Sequence, residues 1–374
     1  MKLLFAIKSL NSVSGGAERV LAEVASWLSR KHSMAVLTCD RPGEQSRYPL
    51  DPAVRRIDLG IGEAGRPARV LETLRRMHAA RRVVLEQQPD VVVAFMHSMY
   101  LPLSLALAGT KVPVVASEHN VPDLYQDRRL EYAALHVVPL LANTITVPSE
   151  QVRQAYRAWF RGHMTAMPNP VTLVEGKRAN PAGPTVGRKV ILSIGRLVRQ
   201  KDHKTLIDAF AALASEFPDW DLRIIGEGDL RAPLERQIMA HRLQDRVALP
   251  GSTSMIAEEY TRAQIYVHPA LYESFGLVVA EAQGYGLPVV GFADCLGVAE
   301  RIQEGCNGLL VAGAGRSKAL AQGLRTLMMQ PALRTALGAN GPPAVRPYSL
   351  GGVCTRWEAL LHSVAVGADR SSAR

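Results

Sequence analysis

HPALYESFGLVVAEAQGYGLPVVG, residues 268–291, carries the strongest local pattern in the chain. It follows a short apolar run, Ile265–Val267. A polar turn with Glu273 and Ser274 comes next, and Gly276 opens a helical pattern over Gly276–Gly284. The segment closes on a second apolar run, Pro288–Gly291. Apolar runs of three to six residues on either side of a helix read as parallel strands buried on both faces.

The same alternation extends outward. Val190–Ile194, Leu222–Ile225 and Val247–Leu249 read as strands, with helical patterns at Lys204–Glu216 and Leu230–His241. Residues 172–189, TLVEGKRANPAGPTVGRK, are rich in Gly and Pro and lack a period, as in a linker. Before them the alternation runs once already: strands at Leu3–Ile7, Met34–Thr38, Val91–Phe95, Val112–Ala116, Thr144–Val147 and Met164–Met167, and a helix at Ala17–Leu28. Two βα runs predict two facing Rossmann-like doubly wound parallel-sheet α/β domains. Their ligands would lie outside the C-terminal strand ends, in an interdomain cleft. The expected division is 1–170, a linker 171–189, a second domain 190–345, and a final helix and polar tail 346–374, with Trp357, Leu360 and Leu361 as an apolar stripe.

At 374 residues the chain is too long for one core, and 47% hydrophobic with 21% charged residues is a globular balance, which excludes disorder as the default. Lysine and arginine exceed aspartate and glutamate by ten, which favours anionic partners. Cys39, Cys295, Cys306 and Cys354 lack metal-ligand or redox spacing and read as reduced, buried thiols in a cytoplasmic protein. MKLLFAIKSL is too short in apolar residues for a secretory leader. Leu101–Gly109 and Tyr132–Val147 fall short of the ~20 apolar residues of a membrane span.

GRLVRQK, residues 195–201, follows the strand Val190–Ile194. Gly195 permits a tight turn, and Arg196 and Lys201 then stand where ligands bind in such sheets. Two cations there suit a diphosphate, although each also fits a solvated loop position. The turn Ser274, Phe275, Gly276, Leu277 offers backbone N–H groups at a helix start, an anion site. Glu273 and Glu281 are acceptors for sugar and ribose hydroxyls; a cap carboxylate and a solvated helix residue are the plainer readings.

In order and spacing, GRLVRQK, IIGEGDL, ESFGLVVAE and GLPVVG resemble the retaining glycosyltransferases of family 4, of GT-B type fold, with their Glu-x7-Glu signature. GGAERV at 15–20, SEHN at 117–120, VPSE at 147–150 and MPNPV at 167–171 are looser landmarks of the same kind. The resemblance implies that Arg196 and Lys201 bind the donor diphosphate, Glu273 the donor sugar and Glu281 the ribose. It places Gly15 and Gly16 beside acceptor and phosphates, His119 beside the reacting sugar, and the last helix back on the first domain. Gly297-Val298 departs from the Gly-Pro of many members, at small expected cost.

Other signals are weaker. Asp219-Trp220-Asp221 has the form of a metal-binding Asp-x-Asp but precedes a strand, away from the ligand edge. Gly226-Glu227-Gly228 begins a dinucleotide fingerprint that Arg231 breaks. Two basic segments, 66–82 (Arg66, Arg69, Arg75, Arg76, Arg81, Arg82) and 151–161 (Arg153, Arg157 and Arg161 on one helical stripe), read as solvated faces or as contacts for anionic lipid, the first favoured for its charge density. No nucleic-acid motif accompanies them.

The resulting expectation is a retaining, metal-independent transferase without a cofactor. It would use a nucleotide diphosphate sugar, a uridine one by resemblance, and a glycan or polyprenyl-linked acceptor in cell-surface polysaccharide or glycolipid synthesis. It would be cytoplasmic, peripheral at an anionic membrane, and would bind no nucleic acid. A nucleotide-sugar epimerase, a phosphorylase or a non-catalytic nucleotide-sugar-binding protein are the rivals; nucleotide release coupled to acceptor glycosylation separates them.

Overall fold

A computed structural model describes residues 1–11, 15–63, 68–125, 128–183 and 187–372. The chain divides into two compact units: residues 1–170 with 350–374, and residues 171–349.

In the first unit seven strands, β1 (Lys2–Ala6), β2 (Ser33–Thr38), β3 (Arg55–Asp58), β4 (Val91–Phe95), β5 (Val114–Ser117), β6 (Thr144–Val147) and β7 (Met164–Ala166), form a sheet in the order 3-2-1-4-5-6-7. Each pairing is parallel. The interior strands are buried along their length, as their continuous apolar runs require: all five residues of β4 are inaccessible. The sequence pattern missed β3 because Arg-Arg-Ile-Asp has no apolar run. As an edge strand it pairs with β2 along its backbone, and its charged side chains reach across: Arg56 meets Asp40 at 3.1 Å and Asp58 accepts from Thr38 Oγ1 at 2.6 Å. The final helix, Leu350–Ser372, packs on helix Gly16–Leu28 and on β4. Its Trp357 lies 6.2 Å from the Phe5 ring and 6.1 Å from that of Phe95.

In the second unit β8 (Lys189–Ile194), β9 (Trp220–Ile225), β10 (Val247–Gly251), β11 (Ile265–His268), β12 (Val289–Phe292) and β13 (Gly308–Val311) follow the order 10-9-8-11-12-13, again parallel. Both sheets thus have the doubly wound order that reverses beside the first strand. The stretch read as a linker is docked on this unit. Val171 is buried and its N–H donates to the Tyr348 carbonyl at 2.7 Å. Buried Arg334 donates to the carbonyls of Pro181 and Ala182 at 2.6 and 2.9 Å.

Candidate functional site

The second sheet reverses between β8 and β11, so the loops that leave these strands diverge and open a crevice at their C-terminal ends. Gly195–Lys201 leaves β8, and residues 269–276 leave β11. Main chain stitches the two loops together. The Leu271 N–H donates to the Gln200 carbonyl at 2.9 Å, and Gln200 Nε2 donates to the Tyr272 carbonyl at 3.0 Å. The sequence places Lys201 and Glu273 seventy-two residues apart; the fold joins them as an ion pair. Buried His268 brings Nε2 to 3.4 Å from the same carboxylate. Burial opposes the charge on Glu273, but Lys201 and His268 outweigh it and hold the carboxyl well below the usual carboxylate range. Burial keeps His268 neutral by lowering its pKa, with Glu273 pulling the other way.

Arg196 is exposed, and its guanidinium has no protein partner among the described residues. Arg196 and Lys201 therefore differ: one cation is open to solvent, the other already holds Glu273. Lysine has three N–H donors, so Lys201 can keep Glu273 and still bind a phosphate oxygen.

Helix Leu277–Gly284 begins after Gly276, whose φ of 78° and ψ of 53° lie in the left-handed region. The segment 273–276 is therefore a turn, and helical spacing applies only beyond it. The N–H groups of Val279 and Ala280 close on the Gly276 carbonyl at 2.9 and 3.0 Å, Ser274 N–H points back to Glu273 Oε1 at 3.3 Å, and those of Leu277 and Val278 have no partner among the described residues. Glu281 lies farther along and accepts from Tyr260 Oη at 2.8 Å; Tyr285 stacks on Tyr260 at 4.9 Å.

Glycines hold this architecture. A Cβ at Gly226 would lie 2.1 Å from the Gly195 carbonyl oxygen, and one at Gly228 2.5 Å from that of Leu197. The Gly226-x-Gly228 pair is a backrest for the cationic loop, which is why it resembled half a dinucleotide fingerprint. A Cβ at Gly297 would strike the backbone of residues 273–275, and its N–H donates to the Glu273 carbonyl at 3.0 Å. Val298, where many members carry proline, is buried and donates its N–H to the Cys295 carbonyl at 2.9 Å.

Sequence reading missed Arg316. It donates to the carbonyls of Pro269 and Ala270 at 2.8 and 3.0 Å and pairs with Asp202 at 3.1 Å, pinning both loops. No local pattern marks it, because its partners lie 114 and 47 residues away. Asp219 and Asp221 sit at the opposite sheet edge, where Asp219 pairs with Lys189, and Asp221 with Arg188 at 2.7 Å and Arg246 at 3.2 Å.

On the first unit, Gly15 is the N-cap of helix Gly16–Leu28 with φ −113° and ψ 161°. That is ordinary extended backbone, so the cap does not need glycine for its φ; a Cβ would meet only the flexible end of Glu18. His119 follows β5. Its Nε2 lies 3.0 Å from Ser117 Oγ, and its ring stacks on Phe95 at 5.4 Å with a 16° interplanar angle. Burial lowers its pKa to about 4, so it is neutral near pH 7.

The neighbouring Glu118, within the SEHN motif but not singled out by it, is fully buried. Its Oε1 accepts from the N–H groups of His119 (2.8 Å) and Asn120 (2.9 Å) and from Asn120 Nδ2 (3.0 Å). Its Oε2 accepts from Tyr125 (2.8 Å) and Tyr100. Burial, then Glu118, pushes both tyrosine pKa values up. Asn120 Nδ2 also reaches His97 Nδ1 at 3.2 Å. A glutamate directly after an apolar strand run was the available signal.

The basic segments are less free than their composition suggests. Arg66 lies outside the described residues. Arg76 is buried, pairs with Glu72 and donates to the Ile61 carbonyl at 2.9 Å; Arg81 donates to the Ala106 carbonyl at the end of helix His97–Leu107. Arg69, Arg75 and Arg82 remain outward. The helical stripe expected over 151–161 is broken. Helix Glu150–Ala155 stops, Tyr156 and Arg157 are extended, and Ala158–Arg161 restarts. The break lets Tyr156 and Phe160 both turn inward, stacked at 5.4 Å. Arg153 is tied to Glu150 at 2.7 Å and Arg161 to Gln154 Oε1 at 3.1 Å. The cysteines form no disulfide; Cys39, Cys295 and Cys354 are buried and Cys306 is only half-buried. Among the described residues no helix is long and apolar enough to cross a membrane.

Two doubly wound parallel units, one with two cations and a helix start at its switch point, are built to take a phosphorylated ligand there. The glycosyltransferase family 4 model matches residues 14–175, and the model for glycosyl transferases group 1 matches residues 177–343. The chain belongs to this glycosyltransferase family. It is similar to a D-inositol 3-phosphate glycosyltransferase of Arthrobacter, 30% identical over 77% of this chain and 76% of that protein. It is also similar to an N-acetyl-D-galactosaminyltransferase of Campylobacter jejuni named for an undecaprenol-diphosphate-linked acceptor, 24% identical over 97% of this chain and 99% of the other. The fold matches sucrose-phosphate synthase from Thermosynechococcus elongatus (TM-score 0.86, 19% identity, 98% of this chain and 100% of that one). It also matches Anabaena HepE in complex with UDP-glucose (TM-score 0.76, 20% identity, 97% and 100%).

Proposed function

We propose that the chain transfers a sugar, with retention of anomeric configuration, from a uridine diphosphate sugar to a glycan or polyprenyl-linked acceptor. The observation that carries this is the Lys201–Glu273 pair beside the open Arg196 and the helix start at Leu277. Departure of the nucleotide diphosphate develops negative charge on the leaving group and positive charge on the sugar. Arg196, Lys201 and the N–H groups of residues 274–277 would stabilise the first. Glu273, kept ionised by Lys201, would accept from sugar hydroxyls and favour the second. Glu281 would accept from the ribose, and His119 would hydrogen-bond the donor. The acceptor hydroxyl attacks from the face the diphosphate leaves and passes its proton to the departing phosphate oxygen, without a covalent intermediate on Glu273 and without a metal. The UDP-glucose in HepE and the lipid-linked acceptor in the name of the Campylobacter relative support this choice of substrates.

The test is a panel of nucleotide sugars scored by thermal shift and then by transfer. A donor at 100 times its Kd should stabilise the fold by about 2.7 kcal/mol. The product's anomeric configuration, read by NMR, should match the donor's, and turnover should survive chelator. Inversion, or chelator-dependent loss restored by magnesium or manganese, sinks the mechanism.

We also propose that the first unit rests on an anionic membrane. Helix His97–Leu107 packs against helices Val70–Gln87, Arg129–Leu135 and Val138–Leu141. These helices expose Val70, Leu71, Leu74, Leu105, Leu130 and Leu140, with Leu130 88% accessible. Arginines 69, 75, 128 and 129 stand among them. Leucines that enter the interface beside cations that meet headgroups are the chemistry of peripheral attachment.

A further inference from the structure

β5 and β6 carry a short chain of polar groups that ends on His119. Ser117 and Thr146 are register partners on these strands, and each is 1% exposed. Thr146 Oγ1 lies 2.9 Å from Ser117 Oγ, which lies 3.0 Å from His119 Nε2. Among the described residues neither hydroxyl makes another hydrogen bond.

The protons can be counted. Each hydroxyl has one, and the imidazole, neutral because burial lowers its pKa to about 4, has one. If Nε2 carried the ring proton, it would donate to Ser117. Then either the Ser117 or the Thr146 proton would be buried without an acceptor, which is costly at this depth. The alternative leaves no hydroxyl proton stranded: Thr146 donates to Ser117, Ser117 donates to Nε2, and the ring proton sits on Nδ1. Nδ1 has no partner among the described residues, and the residue is only partly buried. Phe95 covers one ring face and fixes its plane, itself stacked on Trp357 at 6.1 Å.

We propose that Ser117, oriented by Thr146, is a positioning residue that holds His119 in the Nδ1–H tautomer, as a neutral hydrogen-bond donor to an oxygen of the nucleotide sugar. This rests on the reading of His119 as a donor-binding residue. It also excludes His119 Nδ1 as a proton acceptor for the attacking hydroxyl, because that nitrogen already carries hydrogen.

The test is nitrogen-15 NMR of histidine-labelled full-length protein without substrate, with His119→Gln identifying the His119 signals. Wild type should show a protonated Nδ1 and an unprotonated Nε2. Ser117→Ala, which removes the one donor to Nε2 among the described residues, should shift His119 toward the Nε2–H form and lower kcat/KM for the donor about tenfold, the scale of one hydrogen bond. Ser117→Thr, which keeps the hydroxyl, should restore both. Thr146→Val leaves the Ser117 proton free to reach Nε2 and should keep the Nδ1–H form. If Ser117→Ala does not fold, Ser117→Cys, a far weaker donor, serves for the same readout. An Nε2–H ring in wild type, or an unchanged tautomer in the Ser117 variant, overturns the assignment. If the Nδ1–H form is found and no nucleotide sugar is turned over, the transferase reading fails and the tautomer assignment stands.

Discussion

The two units each place a glutamate at the C-terminal edge of a parallel sheet, Glu118 fully buried and Glu273 partly exposed, and they treat it differently. Glu273 is neutralised by a cation, Lys201, with neutral His268 beside it. Glu118 is surrounded by hydroxyl, amide and main-chain N–H donors. A charged pair can exchange partners, because an incoming diphosphate can share the lysine while the carboxylate turns to a sugar. A carboxylate satisfied by main-chain donors cannot move without dismantling the turn it holds. The first arrangement suits a group that meets substrate, and the second suits a frame for the residue next to it.

Breaking the charged pair should have the largest effect. Glu273→Ala should lower kcat roughly 100- to 1,000-fold, the usual scale for a transition-state contact. Lys201→Ala should weaken nucleotide diphosphate binding about tenfold or more. Because the residues share one ion pair, the double variant should lose less than the product of the single losses. Simple multiplication would show that they act separately. Glu281→Ala, outside the pair, should raise the donor KM and spare kcat. Equal effects on both constants at Glu273 and Glu281 would erase the distinction between them.

Glu118→Ala tests the frame. Removing a buried acceptor shared by five donors should cost about 3 kcal/mol in chemical denaturation. A cost below about 1 kcal/mol would mean that the donors find water instead.

Acid sharpens the contrast further. His119 and His203 have folded pKa values lowered by burial to about 4 and about 3, below the ordinary value near 6.5. The unfolded chain therefore binds more protons between pH 6.5 and the folded values. Stability should be flat above pH 6.5 and fall below it, by about 1 kcal/mol per histidine between pH 6.5 and 5.5. Denaturation midpoints that do not change over that range would contradict the burial of neutral rings.

The smallest expected effect concerns the surface. The first unit exposes a group of leucines, whereas among the described residues the large apolar side chains exposed on the second are Leu173 and three methionines. Leu130→Ser with Leu140→Ser should reduce co-sedimentation with anionic vesicles severalfold and leave turnover of a water-soluble acceptor unchanged. Binding indifferent to lipid charge, salt and these leucines would make the face ordinary surface.

The sequence by itself determined the two parallel sheets. Runs such as Val91–Phe95 and Val190–Ile194 are apolar on both faces, and that pattern has few other structural solutions. It also marked Arg196, Lys201, Glu273 and Glu281, since loop cations and carboxylates after such strands stand at the ligand edge whatever the remaining details. Tertiary structure alone decided which of them touch. Lys201 meets Glu273 because β8 and β11 are neighbours at the sheet's reversal, a pairing that no local pattern records. It also decided that Arg76 and Arg81 are structural, that the stripe over 151–161 breaks to bury Tyr156 and Phe160, and that Ser117 and Thr146 stand behind His119. The physical reason is the same in each case. Burial and charge pairing depend on what lies a few ångströms away in space, and in a parallel sheet those neighbours are tens of residues apart in the chain.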